Sequence, residues 1–164
     1  MSDATIVQVL ASLLAAPHHT GAPALQRLEA GDFEDWRAQE IYHALVAVGL
    51  PQEPNWQAAV LRVHQWLLDH GRYADHTRDE ALRDFLMELS QVRGDAHNLT
   101  GLIDALLEGR YRDLCQDTFQ SLADDAHRLP LDDLDEAIRR GLDTVRALRL
   151  RLDTTGDQPG LKAV

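Results

Sequence analysis

The sequence contains one lysine, Lys162, and one cysteine, Cys115. The lysine is followed by Ala163, so the phosphate-cradling pattern Gly-x4-Gly-Lys-[Ser/Thr] is absent and nucleotide hydrolysis of that kind is excluded. A single cysteine rules out an internal disulfide and a cysteine-based zinc site. Positive charge is also scarce: 27 acidic residues outweigh 16 basic ones, for a net charge of −11. Phosphate backbones are bound by clustered cations that release counterions, so no direct nucleic-acid binding is expected and a protein partner is. No run approaches the roughly 20 apolar residues that span a bilayer, and no membrane segment is expected. The apolar stretch Ile6–Ala16 has Asp3 where a secretion signal carries positive charge, and Gln8 and Ser12 interrupt it. The expected location is cytoplasmic.

Chemistry-bearing clusters are equally sparse. The histidines, at 18, 19, 43, 64, 70, 76, 97 and 127, include no pair three or four apart on one helix face. Asp69, His70, Asp75 and His76 flank one loop, which reads as a solvated connection and not as a cation site. No Ser, His and Asp fall into a nucleophile elbow. Arg110 and Arg112 flank Tyr111 beside Glu108 and Asp113, the pattern of a salt-bridged solvent face. No catalytic, cofactor or metal residue is expected.

What the sequence does have is helical periodicity. Hydrophobic residues make up 45% and charged residues 26%, as in ordinary globular chains, and no stretch alternates with period two. Ile6, Val9, Leu10, Leu13 and Leu14 recur at helical spacing, with Ser2 or Asp3 as cap and Pro17 as stop. His18–Pro23 reads as a loop, with a short helical turn at 24–28. Asp32 is the expected cap of a helix carrying Trp36, Ile41, Tyr42, Leu45 and Val48 and ending at Gly49. Asn55 caps the next, which runs to His70 with Trp56, Val60, Val63, Trp66 and Leu67 on its apolar side. Thr77 and Glu80 form a capping box for a helix through Val92.

Asn98 opens the stretch that organises the rest. Leu131, Leu134, Ile138, Gly141, Val145, Leu148 and Leu152 recur at alternating three- and four-residue steps, the seam of helices crossing at a shallow angle. Cys115, Phe119, Leu122, Ala126 and Leu129 carry the matching seam, with Cys115 as a small buried hydrophobe and Pro130 at the join. A short turn makes the helices antiparallel, which sets Phe119 near Gly141. Acidic residues crowd the start of the second helix and arginines its end, as the helix dipole favours. Leu142 and Leu150 widen the seam. The expectation is an all-α fold: a globular head over 1–96 and, in the same structural unit, an antiparallel helical hairpin over 97–152, followed by a flexible tail over 153–164. Phe119, Leu122, Leu134, Ile138, Leu142, Val145 and Leu150 are its candidate interface, suited to a homodimer or higher homo-oligomer.

The order of these features resembles the N-terminal domain of DnaB-type replicative DNA helicases. The residues that carry the resemblance are Asp32–Phe33 before Trp36-x4-Ile41-Tyr42-x2-Leu45, then Pro54–Asn55 opening a helix that ends in Gly71–Arg72–Tyr73. Leu82-x2-Phe85-Leu86-x2-Leu89, Asn98, Arg110–Leu114 and Leu134–Asp135–Glu136–Ala137 continue it. The stretch Asn55–Gly71 is about one helical turn longer than the family pattern. Glu34–Asp35–Trp36 also replaces the family's usual run after the phenylalanine, and the ATP-binding motor is lacking. The resemblance implies a head and hairpin that pair with a second copy. It also implies contacts with primase and other replication proteins and no catalysis of the domain's own. On that basis the chain is either a free-standing relative or a portion preceding a motor. The alternative is a helical adaptor or regulator unrelated to replication.

Overall fold

A computed structural model describes residues 3–73 and 76–153. The described residues form seven α-helices and two short 3-10 turns, with no strand among them, so the fold is all-α. The helices are α1 (Asp3–Ala15), α2 (His18–Gln26), α3 (Trp36–Val48), α4 (Trp56–Asp69), α5 (His76–Gln91), α6 (Leu99–Asp125) and α7 (Leu131–Asp153). No helix among the described residues is long and apolar enough to cross a membrane.

The first compact unit spans residues 2–106 and is arranged around α1. Val9, Leu10, Ala11, Leu13 and Leu14 are all fully buried, and even Ser12 is closed off from solvent. A helix apolar on every side must be covered on every side. Helices α2 to α5 do this, supplying Ala38, Ile41, Leu45, Val63, Leu67, Leu82, Phe85 and Leu89 to the same core. The Ser12 hydroxyl donates to the Gln8 carbonyl at 2.7 Å and accepts from the Asp95 amide at 2.9 Å, which satisfies a buried polar group.

Leu99, Ile103 and Leu106, in the first turns of α6, are also buried, and Arg27 pairs with Asp104 at 2.5 Å. These contacts bind the start of α6 to the head. The two compact units divide between Leu106 and Leu107.

Three local expectations need correction. His18–Gln26 is a helix, not a loop: the amides of Thr20 and Gly21 bond the Pro17 carbonyl, and Ala24 and Leu25 are buried. Burial overrides the cost of Pro23 inside it. The cap of α3 is Asp35, whose carboxylate accepts from the Arg37 amide at 2.8 Å, while Asp32 is buried in a 3-10 turn. There the Asp32 carboxylate accepts from the Glu29 amide at 2.7 Å, so it is not available to α3. Thr77 lies within α5 and so is not its cap. The caps expected from Ser2 and the tail from Thr154 lie outside the described residues.

Candidate interaction surface on α6 and α7

The second compact unit begins at Leu107. Gly109 does not break α6, which ends at Asp125, whose carbonyl accepts the amides of Arg128 and Leu129 at 2.9 Å each. Pro130 then starts α7, its carbonyl accepting the Leu134 amide at 2.9 Å. The exposed side of α7 is laced by Arg139–Glu136 at 2.7 Å, Arg146–Asp143 at 3.6 Å and Arg149–Asp153 at 3.0 Å. Exposed pairs of this kind contribute only about 0.3–0.5 kcal/mol each, so they do not hold the two helices together.

The helices meet elsewhere. A Cβ placed on Gly141 would lie 2.7 Å from Cγ2 of Thr118 and 3.7 Å from Cδ1 of Leu122. Further along, the Arg149 guanidinium sits 5.9 Å from the centre of the Tyr111 ring. The residues that meet are taken in opposite order along the two helices. Val145 and Leu148 are buried in this unit.

Phe119 is not the residue that faces Gly141. It is 57% exposed, and Thr118 takes that place. With 3.6 residues per turn, Phe119 lies about 100° round from Thr118. Ile138 lies about 60° round from Gly141 and Leu142 about 100°, on the same count. Because the residues meet in opposite order, these rotations lead to the same side of the pair. Leu131, 80% exposed at the start of α7, falls on that side too.

The opposite side is polar. Asp117, Ser121, Asp125 and Arg140 line a groove of about 420 Å³ there.

The seven candidate interface residues therefore separate. Phe119 and Ile138 are exposed on the apolar side, while Leu122, Leu134 and Leu142 are half-buried along its edge. Val145 is only 8% exposed and belongs to the packing of this unit. Leu150 lies about 180° round from Gly141, away from the others. Leu131 was not among the candidates, although its place in the repeat is the same as that of Ile138. Nothing in the sequence separated a seam residue that is covered from one that is not.

Cys115 is half-buried. The interaction of its thiol with the Tyr111 hydroxyl pushes that hydroxyl above its ordinary range.

His70 is stacked on Trp66 with ring centres 4.1 Å apart, and its Nδ1 lies 2.8 Å from the Trp66 carbonyl. Asp69 accepts from Gln65 at 2.7 Å, and Asp75 of that loop lies outside the described residues. Among the described residues no three His, Cys, Asp or Glu side chains gather as metal ligands. Trp36 is half-buried under the Arg78 guanidinium, 4.6 Å from the ring centre. Arg112 pairs with Glu108 at 3.5 Å on the solvent side. Compared with protein-family models, with curated proteins and with solved structures, the chain matches none.

Proposed function

We propose that this chain is a non-catalytic protein-interaction and self-association domain, and that α6 and α7 form an antiparallel hairpin whose apolar side pairs with a second copy. The observation that carries the reading is the exposed row Phe119, Leu131 and Ile138 on one side of two adjoining helices. Fully burying a side chain of this size is worth about 1.5–3 kcal/mol, and a contiguous exposed patch marks an interaction site. Charge supports the same pairing. Asp132, Asp133, Asp135 and Glu136 lie at one end of α7 and Arg146, Arg149 and Arg151 at the other. Two copies related by a two-fold axis with their α7 helices antiparallel set acid opposite arginine at both ends.

The setting we propose is the DNA replication machinery, with primase or a replicative helicase as partner. Its support is the order of cap and core residues from Asp32–Phe33 to Leu134–Ala137. A second reading, an adaptor outside replication, is favoured by the exposed Leu61 and Met87 beside an apolar groove of about 340 Å³ between α4 and α5.

Light scattering during gel filtration tests self-association. A mass that rises with concentration above 18.4 kDa supports it, and 18.4 kDa at every concentration overturns it. Capture experiments with purified primase and helicase separate the two settings. Retention of either supports replication, and retention of neither favours the adaptor.

A further inference from the structure

We infer that a cleft in the head, formed where the α1–α2 corner, the α3–α4 loop and the segment before α6 come together, binds a small organic anion through Arg93, His19 and His97. This inference is independent of the self-association reading. The cleft has a volume of about 840 Å³, and its walls include Pro17, Thr20 and Pro54. Ligand pockets fall at roughly 300–1,000 Å³, so the space suits an anionic group on an apolar body and exceeds a bare ion.

The segment that supplies Arg93 and His97 is held in place before any ligand arrives. The Gln8 side-chain amide donates to the Arg93 carbonyl at 3.2 Å, and the Asp95 amide donates to Ser12 at 2.9 Å. Gly94 lies against the α1 backbone, where a Cβ would meet the Ala11 carbonyl. The α3–α4 loop is tied across to α2 by the His18 amide, which donates to the Pro51 carbonyl at 2.7 Å.

Among the arginines of the head, the one lining this fixed frame stands out. In the head Arg27, Arg37, Arg72 and Arg83 all pair with carboxylates. Arg62 donates to the Val48 carbonyl, and Arg78 lies over Trp36. Arg93 takes no such partner among the described residues. The rings of His19 and His97, like those of His18, His43 and His76, take no hydrogen bond among the described residues, but only these two line the cleft with Arg93.

The one carboxylate lining the cleft, Asp95, accepts the amides of His97 and Asn98 at 3.1 and 3.2 Å through Oδ1. A guanidinium with free donors beside two imidazoles matches the oxygens of a phosphate or a carboxylate. It repels a cation. In a chain of net charge −11, such a cluster is a local exception to the field of the whole protein.

The test is a titration of the full chain with inorganic phosphate and, separately, citrate, at ionic strength held constant with chloride, following the histidine ring signals by NMR. Saturable shifts confined to His19 and His97 are expected. A response to phosphate alone identifies a phosphoryl ligand, to citrate alone a carboxylate, and to both the shared anion chemistry. Arg93→Gln should weaken the response about tenfold or more, since a charged hydrogen bond is worth roughly 1.5–3 kcal/mol. His97→Gln gives a second, independent weakening. The inference is overturned if neither probe gives a saturable shift, if all eight histidines shift alike, or if Arg93→Gln binds as the wild type does.

Discussion

Gly141 approaches Thr118 so closely that a Cβ on the glycine would lie 2.7 Å from the threonine methyl. Two effects oppose each other in Gly141→Ala. Alanine gains about 1 kcal/mol of helix propensity, while crowding a packed contact costs roughly 1–3 kcal/mol. Thr118 is β-branched and stiff at χ1, so crowding is expected to win. The single variant should melt below the wild type, and adding Thr118→Ser should bring the melting temperature back. Circular dichroism on the three proteins checks this. A single variant more stable than the wild type would place the helices further apart.

Exposed and covered members of the apolar row should behave differently. Phe119→Asp and Ile138→Asp should leave folding within about 0.5 kcal/mol of the wild type, as exposed substitutions do. Val145→Asp puts a carboxylate in a buried place and should cost roughly 3 kcal/mol or more. Half-buried Leu142→Asp should fall between, weakening association more than folding. Chemical denaturation of each variant gives the ranking. Equal losses at Ile138 and Val145 would contradict it.

In the head, the Tyr42 hydroxyl donates to the Leu28 carbonyl at 2.5 Å in a buried setting, with the Phe33 ring centre 5.5 Å from its own. Tyr42→Phe keeps the ring packing and strands the carbonyl. A loss of about 1–1.5 kcal/mol by denaturant unfolding is expected. No loss would mean that the carbonyl finds another donor.

Asp35 gives a pH signature. Burial pushes its carboxyl up, but the side-chain and backbone hydrogen bonds from Arg37 and its charge outweigh that and hold it below the ordinary 3.8. A lowered folded-state value means that the stability it contributes is complete above 3.8 and is lost as pH falls through the lower folded value. Asp35→Asn keeps an acceptor at the cap but does not titrate there. The stability difference between wild type and Asp35→Asn should therefore shrink as pH drops through that window. Unfolding curves at a series of acidic pH values show whether it does.

The sequence was legible where one residue type has one physical use. Ile6, Val9, Leu10, Leu13 and Leu14 announced a helix by their spacing, and Asn55, Gly49 and Pro130 mark helix ends where expected. Competing uses were not legible. Asp32 and Asp35 are both plausible caps by type, and only the 3-10 turn that engages Asp32 leaves α3 to Asp35. Pro23 argued against a helix that burial of Ala24 and Leu25 nonetheless stabilises.

The seam over 131–152 was visible as a repeat, but a repeat does not say which members are covered. Phe119 and Thr118 differ by one position and about 100°, which decides which of them faces Gly141. The Arg93 cleft had no sequence signal at all. Its groups come from the start of α2 and from the segment between α5 and α6, and Arg93 differs from the other head arginines only in the partners that folding gives them.

The central claim is that the apolar side of α6 and α7 binds a second copy, and sedimentation equilibrium at micromolar concentration tests it most directly. The wild type should fit a reversible dimer or higher oligomer that loosens as salt screens the ends of α7, and Phe119→Asp/Ile138→Asp should sediment as a folded monomer. A wild type that stays a monomer throughout, or a double variant that associates as tightly as the wild type, would contradict the claim.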